Sequence, residues 1–486
     1  NATDLAEFVP AIKTFNNPDI PALGNISFKG SFVGLYNNFK TKGNITTNLG
    51  AIYADLAMKF PAKKEPTYIG IINTSRFQFG RFIRNNNFGI IEFNGKVNGT
   101  SFTLAKMKTS LDGTIKQLEY NGYNYTNITT LSTFEKKSFY GQVKITDPNI
   151  DFIGSVQIDL TDAAKPRFNL FADIIKSNYK ALNISKDDLK VSGTLDVNFT
   201  GTNIDNFSGE AKILNAVVEN NGASIKFDSL KLSSSYVNNT KYLSLTSADF
   251  GANIVGDFSI IDLPQSFQAF LSKYYPAYIN IPKSVPANQN FKFDITTGFI
   301  QPYLKLIDTK LDGLNDATIS GAVNTKENLL KLKASIPTFK YDKYVFTYID
   351  IDGTGDLDSL NLVTTIGNTQ IGDSTNIPLT KINIQSANDH SVVAIQTTAN
   401  NSLNDAFLIA DVVTLYDGVR VQFRPSSFVV NDKKWNIEKN GELVARKNYI
   451  GAKNLKFVQG YQEIVIATEN EEDNNASHIN IDLKNI

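Results

Sequence analysis

The residues best placed to do chemistry are few. Asp350-Ile351-Asp352-Gly353-Thr354-Gly355-Asp356-Leu357-Asp358 sets acids at alternate positions, with glycine at the sixth place. That spacing resembles a calcium loop. Its fifth place is Thr354 and its twelfth is Asn361, so the bidentate acid is missing. The simpler expectation is a Gly-rich turn joining strands at 344–350 and 356–362. His390 and His478 are the two histidines. Neither has a second ligand or a Ser/Asp arrangement near it in sequence, so no zinc site or triad is expected. No Gly-rich phosphate loop precedes a helix. The acidic, Asn-rich run 469–475 reads as a solvated loop. Two carboxylates could meet to cleave a glycan, but carbohydrate clefts lean on exposed aromatic platforms, and Trp435 is the single tryptophan. No metal, cofactor or enzymatic activity is expected.

Asn-x-Ser/Thr triplets recur at Asn25, Asn44, Asn98, Asn124, Asn127, Asn183 and Asn198. They have the form of glycosylation acceptors, and in an Asn-rich chain they also arise by composition, the simpler reading. Lys plus Arg equals Asp plus Glu at 48 each, and no basic run exceeds two residues. Nucleic acid is therefore not an expected partner. Cysteine is absent, so neither disulfides nor Cys-based metal sites hold the fold. No apolar run approaches the ~20 residues of a membrane helix. The first residue is Asn1 and no signal peptide is visible, so any anchor is expected outside this sequence.

These side chains must be positioned by strands. Period-two alternation dominates: Val191, Leu195, Val197 and Phe199 face one way, Lys190, Ser192, Thr194, Asp196 and Asn198 the other. Ile52, Leu56, Met58 and Phe60 form one such face. Val156, Ile158 and Leu160 form another. Phe291, Phe293 and Ile295; Leu330, Leu332 and Ile336; and Val419, Val421 and Phe423 repeat the pattern. Each strand thus has one dry and one wet side. Asn94-Gly95, Asn98-Gly99, Asp112-Gly113, Asn121-Gly122, Asp312-Gly313, Asp352-Gly353, Asp417-Gly418 and Asn440-Gly441 suit tight hairpins. An antiparallel meander is expected.

Two helices interrupt it. Phe267, Phe270, Leu271, Tyr274 and Tyr275 make one apolar stripe between Pro264 and Pro276. A helix covering the end of a sheet is the favoured reading. A membrane-surface helix is disfavoured because no Lys/Arg cluster marks the polar face. A short helix near Leu5, Phe8 and Val9 would end at Pro10. The expected division is a first β segment over 1–262, helix and Pro-rich connector over 263–286, and a second β segment over 287–486. The dry faces must be buried in sandwiches, in a solenoid, or in an open groove, and alternation does not choose among these.

Several segments are familiar. They are Tyr68-Ile69-Gly70 with Phe77-Gln78-Phe79-Gly80-Arg81-Phe82-Ile83, the stretches 113–128 and 139–150, and Phe428-Val429-Val430-Asn431-Asp432-Lys433-Lys434-Trp435. Together they resemble the TamB branch of the AsmA-like family in its Bacteroidota form, most clearly over about 25–215 and 415–470. The resemblance implies an all-β chain, a long antiparallel sheet folded lengthwise into an open groove, the "β-taco" of bridge-like lipid transfer proteins. It implies a periplasmic location between the two membranes of a Gram-negative envelope, with phospholipid as cargo. The inner membrane and an outer-membrane TamA- or BamA-like barrel would be reached through parts of a longer protein. The alternating residues named above would line the groove. A diacyl lipid exposes roughly 30 methylenes worth about 0.8 kcal/mol each, so roughly 24 kcal/mol opposes its passage through water. Roughly 20 strands at about 4.8 Å would extend on the order of 100 Å. The alternatives are a β-solenoid adhesin or carbohydrate-binding structural protein, against which the lack of a strict repeat counts, and, last, a polysaccharide-degrading enzyme.

Overall fold

The alternating segments do form strands. A computed structural model describes residues 19–468 and 479–486, apart from 104, 285, 287, 374, 401–402, 431 and 448. The short helix expected at 5–10, His478 and the acidic run 469–475 lie outside the described residues. The described strands number 34 in an antiparallel sheet that is not closed. Hairpin neighbours pair edge to edge, unlike the parallel stacking of a β-helix.

Two compact units divide the chain, Asn1–Ser233 and Ser234–Ile486. The first contains β1 (Ser27–Leu35), β2 (Asn38–Thr47), β3 (Gly50–Lys59), β4 (Thr67–Ser75), β5 (Phe77–Gln78), a single helical turn α1 (Phe79–Phe82), β6 (Phe88–Thr100) and β7 (Lys108–Tyr120). It continues through β8 (Tyr123–Glu135), β9 (Ser138–Asp147), β10 (Ile150–Asp159), β11 (Arg167–Ser177), β12 (Leu189–Thr200) and β13 (Ser208–Asn220). β14 (Ala223–Val237) crosses the division.

The second unit contains β15 (Thr240–Ser247), β16 (Phe250–Asp257), α2 (Leu263–Tyr274), β17 (Asn290–Thr297), α3 (Gln301–Ile307), β18 (Leu311–Gly313) and β19 (Thr318–Asn324). β20 (Leu329–Tyr341), β21 (Tyr344–Gly355), β22 (Leu360–Ile371), β23 (Thr375–Ile377), β24 (Thr380–Ala387), β25 (His390–Asn400), β26 (Leu403–Leu415) and β27 (Gly418–Phe423) follow, then seven shorter strands between Ser426 and Lys484. Helix α2, expected between two halves, lies inside this second unit.

Several asparagines serve the turns. Two-residue hairpin turns need positive φ at both positions, and asparagine tolerates it best after glycine. Asn121 and Gly122 (φ 48° and 74°), Asn221 and Gly222 (49° and 89°), Asn238 and Asn239 (49° and 63°) and Asn388 and Asp389 (47° and 63°) take this role. At Asp417-Gly418 and Asn440-Gly441 the turn sits one residue earlier, on Tyr416-Asp417 and Lys439-Asn440, and Gly418 already opens β27.

Five other expected turns are strand instead. Asn94-Gly95 and Asn98-Gly99 lie within β6, Asp112-Gly113 within β7, Asp312-Gly313 in β18 and Asp352-Gly353 within β21. The reason is a second use of glycine. Gly95 faces Gly113 across the ladder, and the Phe93 ring lies where a Cβ on either would stand. Phe28 covers the Gly30–Gly43 pair in the same way. An aromatic ring laid over bare backbone restores the packing that a glycine omits.

Candidate functional site

Register decides whether one-sided strands make one continuous surface, because residues directly opposite each other share a face. In the first unit they do. Phe39, Met58, Tyr68, Gly99, Thr109, Phe134, Phe139, Ile158, Phe168, Phe199 and Gly209 stand side by side from β2 to β13. The next row holds Leu56, Val97, Leu111, Val156, Leu170 and Val197. A third row is rich in small residues, Gly43, Ala54, Gly95, Gly113, Gly154 and Ala172, with Ile72, Thr130 and Val143 between them, and ends at Leu195 and Ile213. A fourth carries Phe93, Ile115, Ile128, Ile145, Phe152 and Ile174. These rows contain hydroxyls but no charged side chain.

The opposite face is mixed, its charges interleaved with exposed Ile69, Ile71, Leu131, Ile153 and Phe171. Lys42 pairs with Asp55 at 3.4 Å, and Lys96 stands opposite Asp112. Burial follows the alternation without completing it. Along β9, Tyr140, Gln142 and Lys144 are exposed, while Phe139, Gly141, Val143 and Ile145 are half-buried. On other strands of the same face Ala54, Val97, Ile128, Ala172 and Ile174 are buried, so the covering is uneven.

Seven of the expected lining residues of this unit stand in these rows. Met58, Ile158 and Phe199 share the first row, Leu56, Val156 and Val197 the second, and Leu195 the third. Ile52 pairs with Ile45 in line with the fourth. Val191 pairs with Val218 beyond a bulge. Phe60 and Leu160 sit just past strand ends, with Phe60 joined to Phe39 and Phe102 by ring contacts at 6.1 and 6.3 Å. Sequence reasoning missed Phe93, Phe134, Phe139 and Phe168, which complete the rows and become identifiable once registers are known.

At one margin a carboxylate is enclosed. Asp147, 3% exposed, accepts from Tyr123 Oη at 2.5 Å, from Thr126 N and Oγ1 at 3.0 and 2.8 Å, and from Asn149 N at 2.9 Å. Burial alone pushes its carboxyl up, but these donors outweigh burial and hold it below the usual range.

The second unit treats its apolar face differently. Helix α2 lays Phe270 and Tyr274 against Phe258, Phe291, Val323 and Leu330. Phe267 adds edge contacts to Phe291 and Phe293. Tyr274 Oη donates to the Asp356 carbonyl at 2.6 Å, and the Asp389 amide donates to the Tyr274 carbonyl. Phe291 is 2% exposed and Leu330 9%, so there the dry face is core. Ile336 is buried in a second cluster with Ala317, Ala334 and Ile349. Phe293, Ile295, Leu332, Val419, Val421 and Phe423 remain half-buried.

The chemistry-bearing candidates resolve as structure. Asp350 and Asp352 are on β21, and Lys333 lies 3.7 Å from Asp352. Asp356 caps the turn, accepting from the Asp358 and Ser359 amides at 2.8 and 2.7 Å. Those amides hold its carboxyl below the usual range. His390 Nε2 stands 3.2 Å from Asp411, which Arg424 grips through two bonds at 2.8 and 2.7 Å. Among the described residues no nucleophile hydrogen-bonds to that histidine, and no trio of His, Asp and Glu converges to hold a metal. No described helix is long and apolar enough to cross a membrane. Neither a protein-family model nor a curated protein matches the chain.

Proposed function

We propose that the chain is a lipid-conducting element of the TamB type. The apolar face of the first unit accepts the acyl chains of phospholipid while headgroups stay in water. The carrying observation is the four-row surface: uncharged across eleven strands and half-buried over much of its extent, with Ala54, Val97, Ile128, Ala172 and Ile174 buried within it. Water opposes an exposed diacyl lipid by roughly 24 kcal/mol over about 30 methylenes. A continuous dry face lowers that barrier without any reacting group. Its setting, on this reading, is the periplasm, between the inner membrane and an outer-membrane TamA- or BamA-like barrel, where it also supports outer-membrane protein assembly.

The test is mass spectrometry of the chain purified without detergent. Bound phospholipid is the expected result. A chain that emerges lipid-free, and takes up none from phosphatidylethanolamine–phosphatidylglycerol vesicles, would end the reading.

A further inference from the structure

The apolar face of the first unit carries a local feature at its aromatic margin. The strand β12 ends at Thr200, and the loop to β13 folds back over the aromatic margin. Beneath it lies a half-open cavity of about 390 Å³ lined by Phe168, Phe199, Ile204, Phe207, Ala211 and Leu232, with Thr202 and Asn203 at its mouth. The space exists because β13 places Gly209 and Ala211 beside Phe199 and Val197. The Phe168 and Phe199 rings stack at 4.9 Å, and Phe207 meets Phe199 edge-on at 5.2 Å. The wall is thus built of rings that hold one another in place.

The loop is fixed by its own side chains. Asn206 Oδ1 accepts from the Thr202 and Asn203 amides at 2.8 and 3.0 Å. Asn203 Oδ1 accepts from the Asp205 and Asn206 amides at 2.9 and 3.1 Å. Asn206 Nδ2 donates to Thr202 Oγ1 at 2.6 Å. The Gly201 amide donates to the Pro166 carbonyl. These amides are therefore spent. Ile204 is left 50% exposed at the edge of the cavity.

We propose that this cavity is a discrete site for one hydrocarbon chain, the end of an acyl group. The proposal rests on the lipid reading of the same face and narrows it to a place. Charge complementarity selects the occupant: no lining residue ionises, so neither a phosphate nor a carboxylate finds a partner inside. A polypeptide would need backbone donors, and the loop amides at 201, 202, 203, 205 and 206 are already bonded. A chain of methylenes asks for neither, and the volume lies within the range of small-ligand pockets.

The probe is a diazirine-labelled palmitic acid, photo-crosslinked to the full chain and mapped by peptide mass spectrometry. Adducts are expected to concentrate on peptides holding Phe199–Ala211 and Leu232. Ala211→Phe fills the cavity and is expected to cut those adducts roughly tenfold, the cost of excluding about two methylenes. Ile204→Asp puts a charge at the exposed mouth and is expected to do the same with an unchanged melting temperature. It decides the matter if Ala211→Phe fails to fold. Adducts spread evenly along the first unit and indifferent to both variants would overturn the pocket but leave the groove. No adduct on the apolar face would sink both readings. Displacement of the probe by an apolar strand-forming peptide, and not by unlabelled palmitate, would also overturn the hydrocarbon assignment.

Discussion

Leu195→Asp separates an open face from a sealed one. Leu195 is half-buried in the small row, opposite Ala172 on one side and Ile213 on the other. Losing half of a leucine's burial costs roughly 1 kcal/mol, and aspartate's poor strand propensity adds up to about 1 kcal/mol. On an open face the new carboxylate keeps part of its water, so the total stays near 2 kcal/mol. In a sealed core, with no cation on that face to pair, the same change would cost more than about 4 kcal/mol. Urea unfolding followed by the β-sheet circular dichroism band reads the difference. The expected variant is folded, destabilised by about 2 kcal/mol, and depleted of co-purifying phospholipid. An unfolded variant, or a folded one with undiminished lipid, would refute the reasoning.

Other outcomes follow from the same contacts. Phe93→Ala uncovers Gly95 and Gly113 and is expected to cost about 2 kcal/mol, measured by urea unfolding, although Phe93 is only half-buried. Asp147 titrates below the unfolded value of about 3.8, so its contribution is full above that value and fades as pH falls through the lower folded one. Asp147→Asn is expected to flatten that acid limb in thermal melts between pH 5 and pH 2. Tyr274→Phe strips the Asp356 carbonyl of its donor and is expected to cost about 1–3 kcal/mol, with faster amide exchange over α2 and little change in β6–β10. Burial pushes the Tyr274 phenol well above the usual range, so no alkaline step below pH 10 is expected from it.

The alternation was legible because a strand's period of two is local. Val156-Gln157-Ile158 and Leu195-Asp196-Val197 needed no tertiary context. Helix α2 was legible for the same reason, its stripe spanning three turns between prolines. Glycine was not. Asn121-Gly122 turns the chain while Asn94-Gly95 runs straight through β6, although an aromatic residue, Tyr120 or Phe93, stands two places before the glycine in both. At Asp112-Gly113 the covering Phe93 comes from the neighbouring strand, which no local pattern reveals. The turn at Asn221-Gly222 was missed although it obeys the same rule as Asn121-Gly122. Helix α3 is seven residues long, too short for a period of 3.6 to register. The candidate surface was legible as faces of single strands. Its continuity depends on register, and its partial covering at Phe291 and Leu330 depends on where α2 folds back.

The central claim is that the first unit's dry face meets lipid while its other face meets water. Leu195 and Asp196 are neighbours on opposite faces, so a benzoylphenylalanine placed at each in turn tests it most directly. After irradiation of cells making the full chain, a phospholipid adduct is expected at position 195 and not at 196. Equal labelling at both, or none at 195, would contradict the account.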